Sequence, residues 1–277
     1  MNNLAKSKSK FLVILLSFLA FIWTFPFIFT VVSGLKSSAE YNSTDFWNLP
    51  KTIGLSDTFS YISERIMLNS SMVNSLIYAL GGTFFAILIS CLAAYGLTKL
   101  RIKGSFYWFM IIYSGTIFPF QLYLVPIYSA FLKTGLYDTK LGMLLFYTAI
   151  CIPFCTFVLR NFFLGVENSI IDSAKIDGCS DFKILRSIII PMAQGPIAAL
   201  FLTQFSFIWN DLLFGLTFSK SDNVRPVMSL LSSLVNSGTS SNVPALLVSC
   251  FIASIPTVLV FALTNKNLEK GFVIGGK

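Results

Sequence analysis

The chain alternates between long apolar runs and shorter polar intervals, and within the runs polar residues are too sparse to mark a wet face. A helix that crosses the hydrocarbon core of a bilayer needs about 20 mostly apolar residues. Six stretches reach that length: 11–33, 72–97, 105–128, 141–159, 195–218 and 243–263. The pattern predicts an all-α integral membrane protein, with six transmembrane helices forming a single domain over 1–277. The first run follows Lys6, Lys8 and Lys10, as the core of a signal peptide would. It is longer than such a core and contains Trp23 and Pro26, so it reads as a retained helix.

Three intervals are too long to be simple turns. Residues 34–71 are polar and carry Tyr41, Trp47 and Tyr61, 160–194 are amphipathic, and 219–242 are rich in Ser, Asn and Gly. Orientation follows from Lys and Arg in the intervals, because cytoplasmic loops carry the excess. With the N-terminus inside, the cytoplasmic set is Lys6, Lys8, Lys10, Lys99, Arg101, Lys103, Arg160, Lys175, Lys183, Arg186, Lys266, Lys270 and Lys277. The external set is smaller: Lys36, Lys51, Arg65, Lys133, Lys140, Lys220 and Arg225. Both termini are therefore expected in the cytoplasm.

Composition agrees with a lipid solvent. Hydrophobic residues make up 55% and charged residues 12%, against roughly 25% charged in soluble domains. The net charge of +8 is held in short clusters between apolar runs, with no basic stripe interleaved with aromatics, which argues against nucleic acid. The chain has no histidine and five cysteines without a CxxC pair. Cys151 and Cys155, one helical turn apart, read as small hydrophobes packed within a helix. No catalytic residue and no metal site is expected.

The internal interval is the most informative. Ser169 and Asp172 have capping-box spacing, which predicts a short helix through Ile176, with Gly178 supplying the conformation that ends it. Ser180 or Asp181 would cap a second helix, 182–190, terminated by Pro191. Phe182, Leu185, Ile188 and Ile189 would form its apolar face.

The string Asp172-Ser173-Ala174, three residues, Gly178, nine residues, Ile188, one residue, Ile190-Pro191 resembles the cytoplasmic signature of ABC-importer permeases. That signature reads Glu-Ala-Ala, three residues, Gly, nine residues, Ile, one residue, Leu-Pro. The spacing is intact, with Asp172, Ser173 and Ile190 as conservative departures, and Glu167 stands where the sugar-permease branch usually has proline. Further strings in the right order resemble the smaller permease of the maltose and multiple-sugar importers. They are Asn74-Ser75, Ala94-Tyr95-Gly96, Arg101-Ile-Lys103-Gly104, Pro119-Phe-Gln121 with Pro126, Gly135-Leu-Tyr-Asp138-Thr139 and Trp209-Asn210-Asp211, followed by the basic, glycine-bearing tail after Leu268. The resemblance covers about 70–277.

The resemblance implies a type I ABC-importer permease fold, in a bacterial cytoplasmic membrane, working by alternating access. It implies a second permease subunit as heterodimer partner, two copies of a cytoplasmic ABC ATPase that binds the ATP, and an extracellular or lipid-anchored sugar-binding protein. Asp172, Ser173, Ala174, Asp177, Gly178, Ile188 and Pro191 would couple to the ATPase, and no cofactor would be bound by the chain itself. The string from Gly271 to Lys277 fits the start of a phosphate loop, but no strand precedes it. Polar residues at membrane depth, Gln121, Tyr123, Gln204, Trp209, Asn210 and Asp211, are candidates for the substrate pathway; interhelical hydrogen bonding would account for them equally. The rival readings are an ABC permease for a non-sugar solute, a membrane-embedded sugar-transferring enzyme and a secondary transporter. The enzyme would want paired acids or histidines at the membrane face. The secondary transporter would show internal repeats.

Overall fold

A computed structural model describes the backbone of residues 2–43, 47–100, 102–236 and 242–274, and their side chains except at 2–9, 11, 65, 236 and 266–274. Several basic residues that set the expected orientation (Lys6, Lys8, Arg65, Arg101, Lys266, Lys270 and Lys277) have side chains outside that description. No strand occurs among the described residues.

In chain order the helices are α1 (Asn2–Gly34), α2 (Ser38–Ser43), α3 (Leu55–Arg65), α4 (Leu68–Lys99), α5 (Ser105–Ser114), α6 (Gln121–Thr134), α7 (Lys140–Leu164) and α8 (Asn168–Ile176). There follow α9 (Asp181–Ile184), a π turn (Leu185–Ile189), α10 (Ile190–Met192), α11 (Gln194–Trp209), α12 (Leu213–Phe218), α13 (Val227–Asn236) and α14 (Val243–Ile274). Two compact units emerge: Met1–Leu68 with Ser233–Ala253, and Asn69–Ser232 with Ser254–Lys277.

In the first unit α1 exposes most of its apolar side chains. After Gly34 the chain is tied down locally: Gly54 N donates to Leu35 O at 2.9 Å, and Lys51 N donates to the Glu40 carboxylate at 2.7 Å. Trp47 packs against Phe29 with ring centroids 5.2 Å apart. The long interval 34–71 thus contains two helices, α2 and α3.

The second unit is organised around α4. From Ser71 on, its buried positions are 71, 74, 75, 78, 79, 82, 83, 86, 87, 90, 91, 94 and 95, the repeat of one helix face. That face carries small or polar residues such as Ser71, Asn74, Gly82, Thr83, Ala86, Ser90 and Ala94, while Phe84, Phe85, Leu88, Ile89 and Leu92 point outward. Lipid tails are as apolar as Leu, so close packing and hydrogen bonds hold membrane helices together instead. A Cβ on Gly82 would meet Tyr147 Cβ at 3.2 Å, so α7 approaches there. Thr156 Oγ1 donates to Ser90 Oγ at 3.1 Å, and Ser90 Oγ donates to Ile152 O at 3.2 Å. Phe146, Phe214 and Phe218 cluster with centroids 4.6 and 4.8 Å from Phe146.

Among the described residues, four stretches are long and apolar enough to span a bilayer: Leu12–Gly34, Leu68–Lys99, Lys140–Leu164 and Val243–Asn265. The other two expected spans are interrupted. The run 105–128 divides into α5 and α6 around 115–120, where Pro119 supplies no N–H and steers Phe118 away from helix. The run 195–218 breaks after Trp209 and resumes as α12. Upstream, Asp181–Met192 meets Gln194–Trp209 at a bend of 77°. The internal interval is also shorter than expected, because α7 continues to Leu164 and Arg160 lies on it, over the Phe109 ring at 4.2 Å.

Candidate functional site

The segment between α7 and α11 is built around α8. The expected capping box is absent: α8 begins at Asn168, and Ser169 Oγ donates to Glu167 Oε2 at 3.1 Å instead of capping. Buried Val166 and Ile171 occupy the positions of a hydrophobic staple around Glu167, which sets the start two residues earlier than the polar spacing predicts. The C-terminus matches the sequence reading. Cys179 N donates to Ala174 O and Gly178 N to Lys175 O, both at 3.0 Å, and Gly178 has φ +77°. This pair of bonds is a Schellman closure.

Of the coupling residues expected from the sequence, Asp172, Ser173, Asp177 and Gly178 are exposed, as is Pro191. Ala174 turns inward with Ile171, and Ile188 is half-buried. Ile176, 87% exposed, and Phe182, 64% exposed, complete an outward apolar surface. The second helix also departs from expectation. Ile184, Leu185 and Ile189 form its buried stripe, and Phe182 is not part of it. Ser180 caps it, its hydroxyl accepting from Lys183 N at 3.4 Å. Pro191 does not end it: the chain stays helical to Met192 by widening to a π turn, in which Ile190 N donates to Leu185 O. An α-helical Pro191 would press its ring on the carbonyl four residues earlier, and one extra residue per turn relieves that clash.

The ends of α8 are both fastened to the last turns of α4. Lys99 Nζ donates to Val166 O at 2.7 Å and to Asn168 Oδ1 at 3.0 Å. Tyr95 Oη donates to Asp181 Oδ1 at 3.1 Å, and Lys175 Nζ pairs with the same oxygen at 3.1 Å. Beneath α8, Lys99, Asn168, Lys175 and Asp181 border a cavity of about 430 Å³ that Thr98 and Asp172 also line. Nothing in the sequence marks Tyr95 and Asp181 as a pair, because 86 positions separate them.

The membrane-depth candidates fall into two groups. Asp211 sits at the α11–α12 break and accepts from Tyr147 Oη at 2.8 Å, Gly215 N at 3.0 Å and Phe214 N at 3.1 Å. Trp209, 1% exposed and stacked on Phe205, and buried Gln204 are packed inside. Gln121 and Asn210 are exposed and Tyr123 is half-buried. The two broken helices meet, since Phe120 lies edge-on to Phe214 at 5.5 Å. Interrupted helices of this kind line cavities in transporters. No group of three or more His, Cys, Asp or Glu placed to hold a metal occurs among the described residues.

At the opposite end of α4 the interval after α12 is fastened down. Asp138, at φ +55°, accepts from Lys220 N at 2.8 Å and Ser221 N at 3.0 Å. Burial opposes ionisation of Asp138, but these hydrogen bonds outweigh it and hold the carboxyl below the usual aspartate range. Asn74 Nδ2 donates to Arg225 O at 3.2 Å, Tyr78 Oη to Val224 O at 2.8 Å, and Ser75 Oγ accepts from Val227 N at 2.8 Å.

Residues 82–274 match the family described as binding-protein-dependent transport system inner membrane component. The chain is 29% identical to the osmoprotective compounds uptake permease protein GgtD of Synechocystis sp., over 93% of this chain and 88% of that one. It is 26% identical to the arabinooligosaccharides transport system permease protein AraQ of Halalkalibacterium halodurans, over 94% and 93%. In structure it is similar to a chain of a bacterial ABC transporter involved in the import of the acidic polysaccharide alginate. The TM-score is 0.82 at 21% identity, covering 94% of this chain and 96% of that one; the likeness is one of fold.

Proposed function

Because this chain belongs to the family of binding-protein-dependent transport system inner membrane components, we propose that it is a permease subunit of an ATP-driven sugar importer. It lines the translocation pathway together with a second permease and works by alternating access. A sugar-binding protein delivers substrate at the outer face, and two copies of a cytoplasmic ABC ATPase bind the ATP and drive the cycle.

The observation that carries this reading is the construction of residues 166–181. A short helix, closed by Gly178 in a left-handed conformation, presents Asp172, Ser173, Ile176 and Asp177 outward and is tied to α4 from behind. An exposed apolar side chain flanked by acids suits a cleft lined by apolar and cationic groups on the ATPase. Gln121, Asn210 and Tyr123, beside the two helix breaks, are the pathway candidates best supported by exposure. Gln204, Trp209 and Asp211 serve packing and backbone capping.

The name of AraQ and the alginate importer favour a saccharide substrate. The name of GgtD favours a second reading, a non-sugar or osmoprotective solute carried by the same machinery. Co-expression with the cognate ATPase, partner permease and binding protein tests the proposal. ATPase should copurify after detergent extraction, and ATP hydrolysis should be stimulated by one class of loaded binding protein when mono- and oligosaccharides and compatible solutes are scanned. No ATPase capture under any condition would refute it.

A further inference from the structure

We infer that α4 is a connecting rod that links the outer interval 222–227 to the coupling segment 166–181, with Tyr78 and Asn74 as its outer attachment and Tyr95 and Lys99 as its inner one. The inference rests on the permease reading.

α4 is helical from Leu68 to Lys99 and contains no proline, whereas α1, α6, α7 and α14 each contain at least one. An unbroken helix is stiff along its axis, and Tyr78 and Tyr95 stand about 25 Å apart on it at 1.5 Å per residue. Both tyrosines lie on the buried face, 1% and 3% exposed, and each uses its hydroxyl on a segment distant in sequence: Val224 O for Tyr78, Asp181 for Tyr95. At each end a second residue, four positions away, holds another point of the same segment. Asn74 reaches the 225 carbonyl, and Lys99 reaches the 166 carbonyl.

The covalent route to α8 is softer. It runs through the non-helical links 165–167 and 177–180, and from there into helices that are widened or bent: the π turn and the 77° corner before α11. Motion of α8 is therefore delivered more directly to α4, through side-chain bonds, than to the helices that follow it in sequence. The same rod would carry the arrival of a binding protein at the 222–227 side inward to the coupling segment. Such transmission needs two sites biasing one element, which α4 provides.

The test uses the full complex in proteoliposomes and reads the stimulation of ATP hydrolysis by loaded binding protein, with ATPase copurification alongside. Tyr78→Phe at the outer end and Tyr95→Phe with Lys99→Met at the inner end should each lower the stimulation by about fivefold or more, with parental ATPase copurification. Because both act through one rod, combining the two ends should lower it little further than either end alone. Lys99→Arg, which keeps the donor, should retain most of the stimulation that Lys99→Met loses. Unchanged stimulation, losses that multiply between the ends, or loss of ATPase capture in Tyr95→Phe overturns the inference. A parental complex that captures no ATPase overturns the permease reading and this inference with it.

Discussion

The hydroxyl of Tyr147, on α7, donates to Asp211, at the break between α11 and α12, at 2.8 Å, and Tyr147 is fully buried. The same carboxylate accepts the Phe214 and Gly215 amides. It stands in for the helical bonds that α12 lacks at its start. One acid thus closes a helix end and joins it to a neighbouring helix.

Removing either partner should separate these roles. Tyr147→Phe deletes one hydrogen bond without leaving a donor unpaired and should cost about 1 kcal/mol. Asp211→Ala strands a buried hydroxyl and two amides and should cost about 2–4 kcal/mol. Thermal unfolding of the detergent-solubilised protein measures both; equal losses would mean that the carboxylate does not cap α12.

Gly178 has open space around a built Cβ but a φ of +77°. The penalty for a side chain there is conformational, about 1 kcal/mol for most residues and more for a β-branched one. Gly178→Asn should retain substantial uptake, because Asn tolerates the left-handed region, whereas Gly178→Val should abolish uptake with normal membrane abundance. Uptake and abundance measured on both variants check this, and parental uptake by Gly178→Val would sink it.

These two sites also show what could be read from sequence. Gly178 was legible because its role is local, a few residues after an amphipathic run. The Tyr147–Asp211 joint was not, since 64 positions separate its members and a polar residue in a span carries no mark of its partner. The predicted runs 11–33, 72–97, 141–159 and 243–263 each lie on one long apolar helix, whereas those around Pro119 and Asn210 are interrupted, because apolar content alone does not register a lost hydrogen-bond ladder. At Ser169 the polar spacing suggested a cap, and the apolar pair Val166 and Ile171 set the helix start instead.

Burial opposes ionisation of Asp138, but the hydrogen bonds from Lys220 and Ser221, with the nearby Lys220 charge, together outweigh it and hold the carboxyl below the usual aspartate range. A carboxyl whose midpoint is lowered on folding stabilises the fold above its unfolded midpoint, about pH 4, and ceases to do so as pH falls through the lowered value. Asp138→Asn should therefore speed hydrogen exchange at Lys220 and Ser221 near neutrality, after correction for intrinsic rates. The difference from the parent should vanish under acid. A difference that persists at low pH would show that shape, not charge, holds the loop.

The charge bias predicts sidedness. In a chain with its native cysteines replaced, single cysteines at Lys51 and Lys220, both exposed, should react with an impermeant reagent in intact cells, and one at exposed Lys103 should react only after lysis. Labelling of Lys103 from outside would contradict cytoplasmic termini.

The most direct test of the central claim is uptake of a labelled sugar by proteoliposomes holding the chain with its partner permease and ATPase subunits. The account predicts accumulation only when ATP is on the ATPase side and loaded binding protein on the other, with at least tenfold loss in Gly178→Val, about 1.4 kcal/mol or more of coupling. Uptake that proceeds equally without ATP, or without the binding protein, would contradict it.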